Sequence, residues 1–127
     1  MEAPEPTTAA ARACLALRGA LPATVESGHR RTTTPDSPYV AAWGDPPITL
    51  RCGVDRPAGY RPGVDLVTVN GIAWLPEPTT GGYLFTTVGR VAQVEVAVAR
   101  AYAPEVNPLT ELATAVGRTV PCLRAGC

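Results

Sequence analysis

Four cysteines carry the clearest chemistry in this chain: Cys14, Cys52, Cys122 and Cys127. None belongs to a C-x-x-C motif, and the single histidine, His29, has no potential ligand at metal-binding spacing. Structural zinc sites and thiol–disulfide redox centres both depend on such spacings. The sequence therefore predicts no metal site, no redox centre and no cofactor.

Cys14 and Cys52 are expected to face each other across one hydrophobic core. Cys14 falls on the apolar stripe of a predicted helix, and Cys52 falls on the apolar face of a predicted strand. A bond between them would close a loop of about 39 residues and stabilise the fold by about 4 kcal/mol in the chain-entropy model. The alternative is two unpaired core cysteines. A bond would indicate an oxidising compartment, because cytosolic proteins seldom keep structural disulfides.

Catalytic groups do not assemble into a known pattern. His29 stands beside Arg30 and Arg31 instead of a group that would orient a base, and no G-x-S-x-G motif occurs. Asp45 and Glu95 could serve as a glycosidase pair, but Asp45 is first a turn former and Glu95 first an exposed strand residue. No glycine-rich phosphate loop is present. We therefore expect no enzymatic activity.

A binding patch is a separate hypothesis. Trp43 precedes a Gly-Asp-Pro-Pro turn, which leaves open whether its ring is exposed or buried. Arg51 is expected on the outward face of a strand, and its guanidinium, like that of Arg90, could pair with an anion. Trp74 is expected to fill the core. The residues predicted to bind a small molecule or glycan are Trp43, Asp45, Arg51 and Arg90.

Composition narrows the class of partner. The chain has 11 basic and 11 acidic residues and a formal net charge of zero, and every basic residue is arginine. Nucleic-acid-binding proteins normally carry a basic surplus or stripe, so nucleic acid is not expected as a partner. No apolar run reaches the length that spans a bilayer. A protein or wall component remains as the expected partner.

Three parts of the chain are predicted from its composition. Residues 1–7 are polar and proline-rich, which predicts a linker that follows a removed membrane anchor; a natural cytosolic start is the alternative. Residues 8–121 hold all the periodic segments and suffice for a single domain with one core. Residues 122–127 are predicted to be a tail, in which Cys122 and Cys127 either form a short bridge or stay free.

The periodic segments predict a helix, then strands, then a second helix. Apolar spacing predicts the first helix over residues 8–21, and residues 22–47 are predicted to be a long loop with at most one short strand near residues 30–34. A further loop is expected over residues 76–82. Asn70-Gly71 predicts a hairpin turn, with a bulge as the alternative. Alternating residues predict strands over residues 48–54, 66–70, 72–75, 83–88 and 91–100.

The second helix is predicted to begin at Asn107 as the N-cap, with Pro108 in its first turn, and to end before Pro121. Its inward stripe is Leu109, Leu112, Val116 and Val120. The predicted fold is therefore α+β: a two-layer sandwich in which an antiparallel sheet of four to five strands carries an N-terminal and a C-terminal helix on one face. Its other face is expected to be uncovered.

Several segments resemble the actinobacterial family known as domain of unknown function 3515, over about residues 10–115. The segments are Cys14 followed by Leu21-Pro22, then Ser37-Pro38-Tyr39, Trp43 to Ile48, Leu50 to Val54, Val69 to Trp74 and Phe85 to Arg90. The resemblance implies an envelope protein with an N-terminal membrane helix or secretion signal and this domain on the outer side. The resemblance does not indicate any particular activity.

Together these observations predict a non-catalytic, extracytoplasmic domain of a membrane-anchored or secreted cell-envelope protein. Its expected role is protein interaction with an unidentified envelope protein or wall component. The alternative is a small-molecule or glycan-binding module that uses Trp43, Arg51 and Arg90, and a small hydrolase ranks third. Membrane contact is expected only through an anchor that this chain lacks.

Overall fold

The computed structural model describes residues 1–124 and 127. It contains two helices, α1 (Thr8–Ala20) and α2 (Asn107–Thr119), and a short 3₁₀ helix over Arg100–Tyr102. The strands are β1 (Thr24–Val25), β2 (Gly28–Arg31), β3 (Val40–Trp43), β4 (Ile48–Val54), β5 (Val67–Val69), β6 (Ile72–Thr79), β7 (Gly82–Thr87) and β8 (Gln93–Ala99). The α+β class is confirmed.

All strands join one antiparallel sheet in the order β1-β2-β3-β4-β8-β7-β6-β5. The expected sheet of four to five strands is wrong, because the sheet has eight. The last strand, β8, inserts between β4 and β7 and so unites the two halves of the chain. Because β4 and β5 run in the same direction, residues 55–66 must cross the sheet to connect them.

Three strands lie in the predicted loop 22–47, where the sequence predicted at most one, near residues 30–34, which β2 overlaps at Arg30 and Arg31. β1 and β2 form a hairpin whose turn residues, Glu26 and Ser27, have φ angles of 48° and 63°. Such primed turns usually carry Asn-Gly, so this pair gave no turn signal. The backbone N–H of Glu26 donates to the Glu111 carboxylate of α2 at 2.9 Å. A contact distant in sequence thus supports the hairpin.

The predicted loop 76–82 is also wrong, because β6 extends to Thr79 and pairs with β7. Prolines normally interrupt a strand, since they lack the N–H that a ladder needs. Pairing alternates along β6, and the nitrogens of Pro76 and Pro78 point away from β7, beyond the end of β5. No ladder hydrogen bond is lost at either proline.

Both helices pack on the same face of the sheet and contact each other. The predicted stripe of α2 is fully buried there. Val106, and not Asn107, occupies the N-cap position, and no side chain caps the helix. The largest fully buried side chains of this core are Trp43, Trp74, Phe85, Leu17, Ile48, Leu50, Leu109 and Leu112.

Both disulfides are present. Cys14 of α1 bonds to Cys52 of β4 with Cα atoms 5.6 Å apart, so the first bond is confirmed. Cys122 bonds to Cys127, also with a Cα separation of 5.6 Å. Within the predicted tail 122–127, residues 125 and 126 lie outside the described part of the chain. The first bond fastens the opening helix to the centre of the sheet.

The opposite face of the sheet is not open, so the fold is not a clean two-layer sandwich. Val40, Leu75 and Thr86 point to that face and are buried. Gly59, in the crossing segment 55–66, lies next to the Glu77 carboxylate on the same face. The expectation of an uncovered second face is therefore corrected.

Candidate functional site

Trp43 lies in the core with 0% of its surface exposed. Its indole Nε1–H donates to the carbonyl of Pro22 at 3.0 Å, and the Arg30 guanidinium lies 5.5 Å from the ring centroid. Asp45 follows in an exposed turn, with 93% of its side chain exposed and a carboxylate oxygen 3.8 Å from Arg31 Nη1. Trp43 therefore presents no ring face to a ligand.

Arg51 lies on the outer face of β4 and forms a bidentate pair with Glu95 of β8. Its Nε and Nη2 donate to the two carboxylate oxygens at 2.7 and 3.0 Å, and its Nη1 donates to the Glu2 carbonyl at 3.0 Å. The hydrogen bond to Glu95 raises the pKa of Arg51 above its ordinary value. The adjoining cavity of about 580 Å³ is also lined by the acidic residues Glu2, Glu5 and Asp55. This acidic lining does not suit an anionic ligand.

Arg90 is buried at the other end of the sheet, with 8% exposure. Its Nη1 donates to the carbonyl of Val120, and its backbone forms an isolated bridge with Cys122. Burial lowers the pKa of Arg90 below its ordinary value. The arginine therefore holds the segment after α2 against the β7–β8 connection. The structure does not bring Trp43, Asp45, Arg51 and Arg90 into one site.

A different surface has the form of a binding site: an apolar groove of about 320 Å³ between β5–β7 and the segment before α2. Tyr83 and Phe85 stack along it, with ring centroids 5.7 Å apart. Tyr83 is 37% exposed and Val106 is 36% exposed, with Leu66 at 37% nearby. The groove is lined by Val67, Pro76, Tyr83, Phe85, Pro104, Glu105 and Val106. Exposed apolar surface of this kind is typical of interaction sites.

The groove adjoins β5, the strand at one edge of the sheet. Asn70 and Gly71, with φ angles of 48° and 82°, form the two-residue turn between Val69 and Ile72. The residues flanking such a turn form a hydrogen-bonded pair, and pairing alternates from there. Thr68 is therefore a non-hydrogen-bonded partner of β6, and its backbone N–H and C=O point outward. Among the described residues, neither group has a hydrogen-bond partner.

The opposite edge of the sheet is less accessible. β1 has only two residues, one of them the fully buried Val25, and α2 packs beside it. Glu111 of α2 accepts the Glu26 N–H at the adjoining turn. Short, covered edges resist pairing with another chain. Strand addition is therefore open at β5 and hindered at β1.

Sequence reasoning found part of this site. The Asn70-Gly71 turn identifies the β5–β6 hairpin in advance, and this prediction is confirmed. The sequence does not reveal the groove, because it predicts a loop at Pro76 and places Val106 in a separate segment. Only the fold brings these two residues together. The one available signal is an aromatic residue, Tyr83, that closely follows the prolines at 76 and 78.

Within residues 1–124 and 127, no group of histidine, cysteine, aspartate or glutamate side chains is arranged to hold a metal ion. The same residues contain no helix with the length and apolarity to cross a membrane. Comparison with curated proteins and with solved structures finds no match. A family model described as "Protein of unknown function (DUF3515)" matches residues 1–124.

Proposed function

Since the chain belongs to the DUF3515 family, whose description assigns no activity, we propose a function from geometry: the domain is a protein-interaction module that binds an extended polypeptide segment along β5. The two disulfides indicate an oxidising, extracytoplasmic environment. In this proposal the domain belongs to a membrane-anchored or secreted envelope protein, and its partner is an envelope component. Its role involves no catalysis.

The unpaired edge at Thr68 is the observation that supports this proposal. An extended peptide can add to a sheet edge, where main-chain hydrogen bonds provide affinity and pockets for alternate side chains provide specificity. The outward N–H and C=O of Thr68 offer one such pair of bonds. The apolar groove lies beside the same strand and receives a side chain on the helix-bearing face. The Thr68 backbone groups and the apolar groove therefore contact the same peptide in this proposal.

The lining of the groove indicates the chemistry of the peptide. Tyr83 and Val106 offer apolar surface, which suits a branched aliphatic or aromatic anchor residue. Glu105 is the charged residue of the lining. A basic residue flanking the anchor would pair with that carboxylate at the rim. The expected ligand is therefore an extended segment with one apolar anchor and a neighbouring Lys or Arg.

The substitution Thr68→Pro tests this binding mode. A display library of random peptides is selected against the folded, oxidised domain, and the enriched peptides are measured against the variants. Proline removes the outward N–H, and edge strands tolerate proline where the N–H faces solvent. The loss of the hydrogen bond from residue 68 to the peptide, together with the bulk of the proline ring, should weaken peptide binding by about tenfold or more. Thr68→Ala is the matched control, because it keeps the N–H, and it should bind like the wild type.

Two further measurements accompany the affinities. Hydrogen exchange of the Thr68 amide should slow when peptide binds, and Tyr83→Ala should weaken binding through the groove. Thermal unfolding of Thr68→Pro checks that the fold is intact. Equal peptide affinity for Thr68→Pro and Thr68→Ala would refute strand addition, as would a failure of the selection to enrich any apolar, basic motif.

A further inference from the structure

A second cleft, of about 290 Å³, lies toward the other end of the sheet, between the end of α1 and the β2–β3 connection. Three arginines line it: Arg18 from the last turn of α1, and Arg30 and Arg31 from β2. In the sequence, Arg30-Arg31 is the only adjacent basic pair, and Arg18 stands twelve positions away from it. The fold therefore concentrates positive charge that is dispersed along the chain.

Arg30 and Arg31 are held in place with little neutralisation of their charge. The Arg30 guanidinium lies over the Trp43 ring, and Arg31 Nη1 donates to the Gly44 carbonyl at 2.7 Å. Neither Arg18 nor Arg30 forms an ion pair among the described residues. Arg31 meets Asp45 only at 3.8 Å, and that carboxylate is 93% exposed, so the pair is weak. Arg30 pairs with Trp43 and Arg31 with Ala42 in the β2–β3 ladder, so their side chains leave opposite faces of β2. Arg18 and Arg30 are therefore the two guanidiniums that can meet an anion on the helix-bearing side of this cleft.

Further polar groups line the same cleft. Asp36 is the one carboxylate of the lining, so Arg18, Arg30 and Asp36 together leave a formal charge of about +1 in a chain of zero net charge. Ser37 Oγ accepts the Tyr39 N–H at 3.1 Å, which leaves the serine hydroxyl proton free to donate. Thr32 adds a second hydroxyl. Guanidinium forks and hydroxyls together match the oxygens of a tetrahedral oxyanion.

We propose that this cleft binds a phosphate group, either of an anionic lipid headgroup or of a soluble phosphate ester. Its volume exceeds that of a bare phosphate, so it admits the group with part of the molecule that carries it. The site is independent of the peptide groove, because the two share no lining residue. Failure of either proposal leaves the other intact.

The test compares Arg18→Gln with Arg118→Gln. Both arginines are exposed and lie in the last turn of a helix, so each change removes one charge from an equivalent position. Only Arg18 lines the cleft. Calorimetric titration of the oxidised domain with inorganic phosphate and with glycerol phosphate should show binding that Arg18→Gln weakens by about fivefold or more, with Arg118→Gln near wild type.

Two additional experiments test whether the planar guanidinium is needed and identify the source of the phosphate. Arg30→Lys keeps the charge but loses the planar fork, and it should also weaken binding. Sedimentation with phosphatidylglycerol vesicles, with phosphatidylcholine vesicles as the control, identifies the source of the phosphate. Vesicle binding that depends on Arg18 assigns the site to a lipid headgroup. Phosphate binding without vesicle binding assigns it to a soluble phosphate ester. The absence of saturable phosphate binding, or equal losses in Arg18→Gln and Arg118→Gln, would overturn the proposal.

Discussion

The Arg51–Glu95 pair joins the two central strands on the outer face of the sheet. Its side chains are only partly exposed, at 27% and 15%, and both carboxylate oxygens are used. Bidentate pairs of this kind resist solvent screening better than single exposed contacts. Arg51 is thus a structural residue of the sheet. It is not a free anion-binding group.

Glu95→Gln should therefore lower the free energy of unfolding by about 1 kcal/mol, because Arg51 loses its charged partner at a partly buried position. Urea denaturation measures this change. Asp45→Asn is the control: its ion pair is long and exposed, and the loss should stay within about 0.5 kcal/mol. Equal losses in both variants would contradict the structural role of the Arg51–Glu95 pair.

The pKa of Arg51 sets the pH dependence of this difference. Its folded-state pKa is raised above the ordinary value, so its contribution to stability is complete below the ordinary pKa and is lost only as pH rises through the folded-state value. The difference between wild type and Glu95→Gln should therefore stay constant from about pH 7 to 10. Urea denaturation at each pH measures this difference in the free energy of unfolding. A steady decline of the difference over that range would contradict the assignment.

The sequence identifies candidate side chains more readily than it predicts whether they are buried or exposed. The alternation that identifies β4 is missing in β3, whose four residues are all buried. Both faces of that strand are covered, so no local pattern shows that Trp43 points into the core. Arg90 is similar: its burial depends on the segment after α2, thirty residues further along the chain.

The β5–β6 hairpin depends on its turn. Asn70 has a φ of 48°, which asparagine and glycine tolerate better than other residues, and its Nδ2 donates to the Thr110 carbonyl of α2 at 3.2 Å. The turn thus both sets the register of β5 and connects it to a helix. The outward direction of the Thr68 backbone follows from that register.

Asn70→Ala should destabilise the domain by about 1–2 kcal/mol, because alanine is strained at positive φ and cannot bond to Thr110. Asn70→Gly relieves the strain and loses only the side-chain bond, so its cost should be about half as large. Thermal or urea unfolding measures both variants. A larger cost for glycine than for alanine would show that backbone conformation is not the controlling factor at this turn.

Elements with a local signature were predicted well. Both helices, β4, β7, β8 and the Asn70-Gly71 hairpin lie near the expected positions. The β1–β2 hairpin and the second half of β6, which the sequence does not predict in full, share one property: other parts of the chain support them. Glu26 is held by Glu111 of α2, and the prolines of β6 are tolerated because β5 ends before them.

The two disulfides contribute unequally to the stability of the whole domain. The Cys14–Cys52 bond spans a sequence separation of 38 residues, against 5 for Cys122–Cys127. In the chain-entropy model these loops correspond to about 4 and about 2 kcal/mol. The long-range bond also joins α1 to the sheet, whereas the short one closes only the end of the chain.

The double variant Cys14→Ala/Cys52→Ala should therefore lose more stability than Cys122→Ala/Cys127→Ala, by about 2 kcal/mol in the chain-entropy model. Urea denaturation of oxidised proteins gives the comparison, and intact-mass analysis of alkylated, unreduced protein confirms which thiols are bonded. Free, alkylatable Cys14 and Cys52 in the wild type would remove the main support for an oxidising compartment.

Local sequence features were enough to establish the α+β class, both helices, the principal hairpin and the Cys14–Cys52 bond, because periodicity and turn chemistry act over a few residues. The order of eight strands and both candidate surfaces were not accessible in that way. The peptide groove joins Pro76 to Val106, and the phosphate cleft joins Arg18 to Arg30. Each of these surfaces joins segments that are distant in the sequence, and such long-range contacts leave no periodic trace in the segments that they unite.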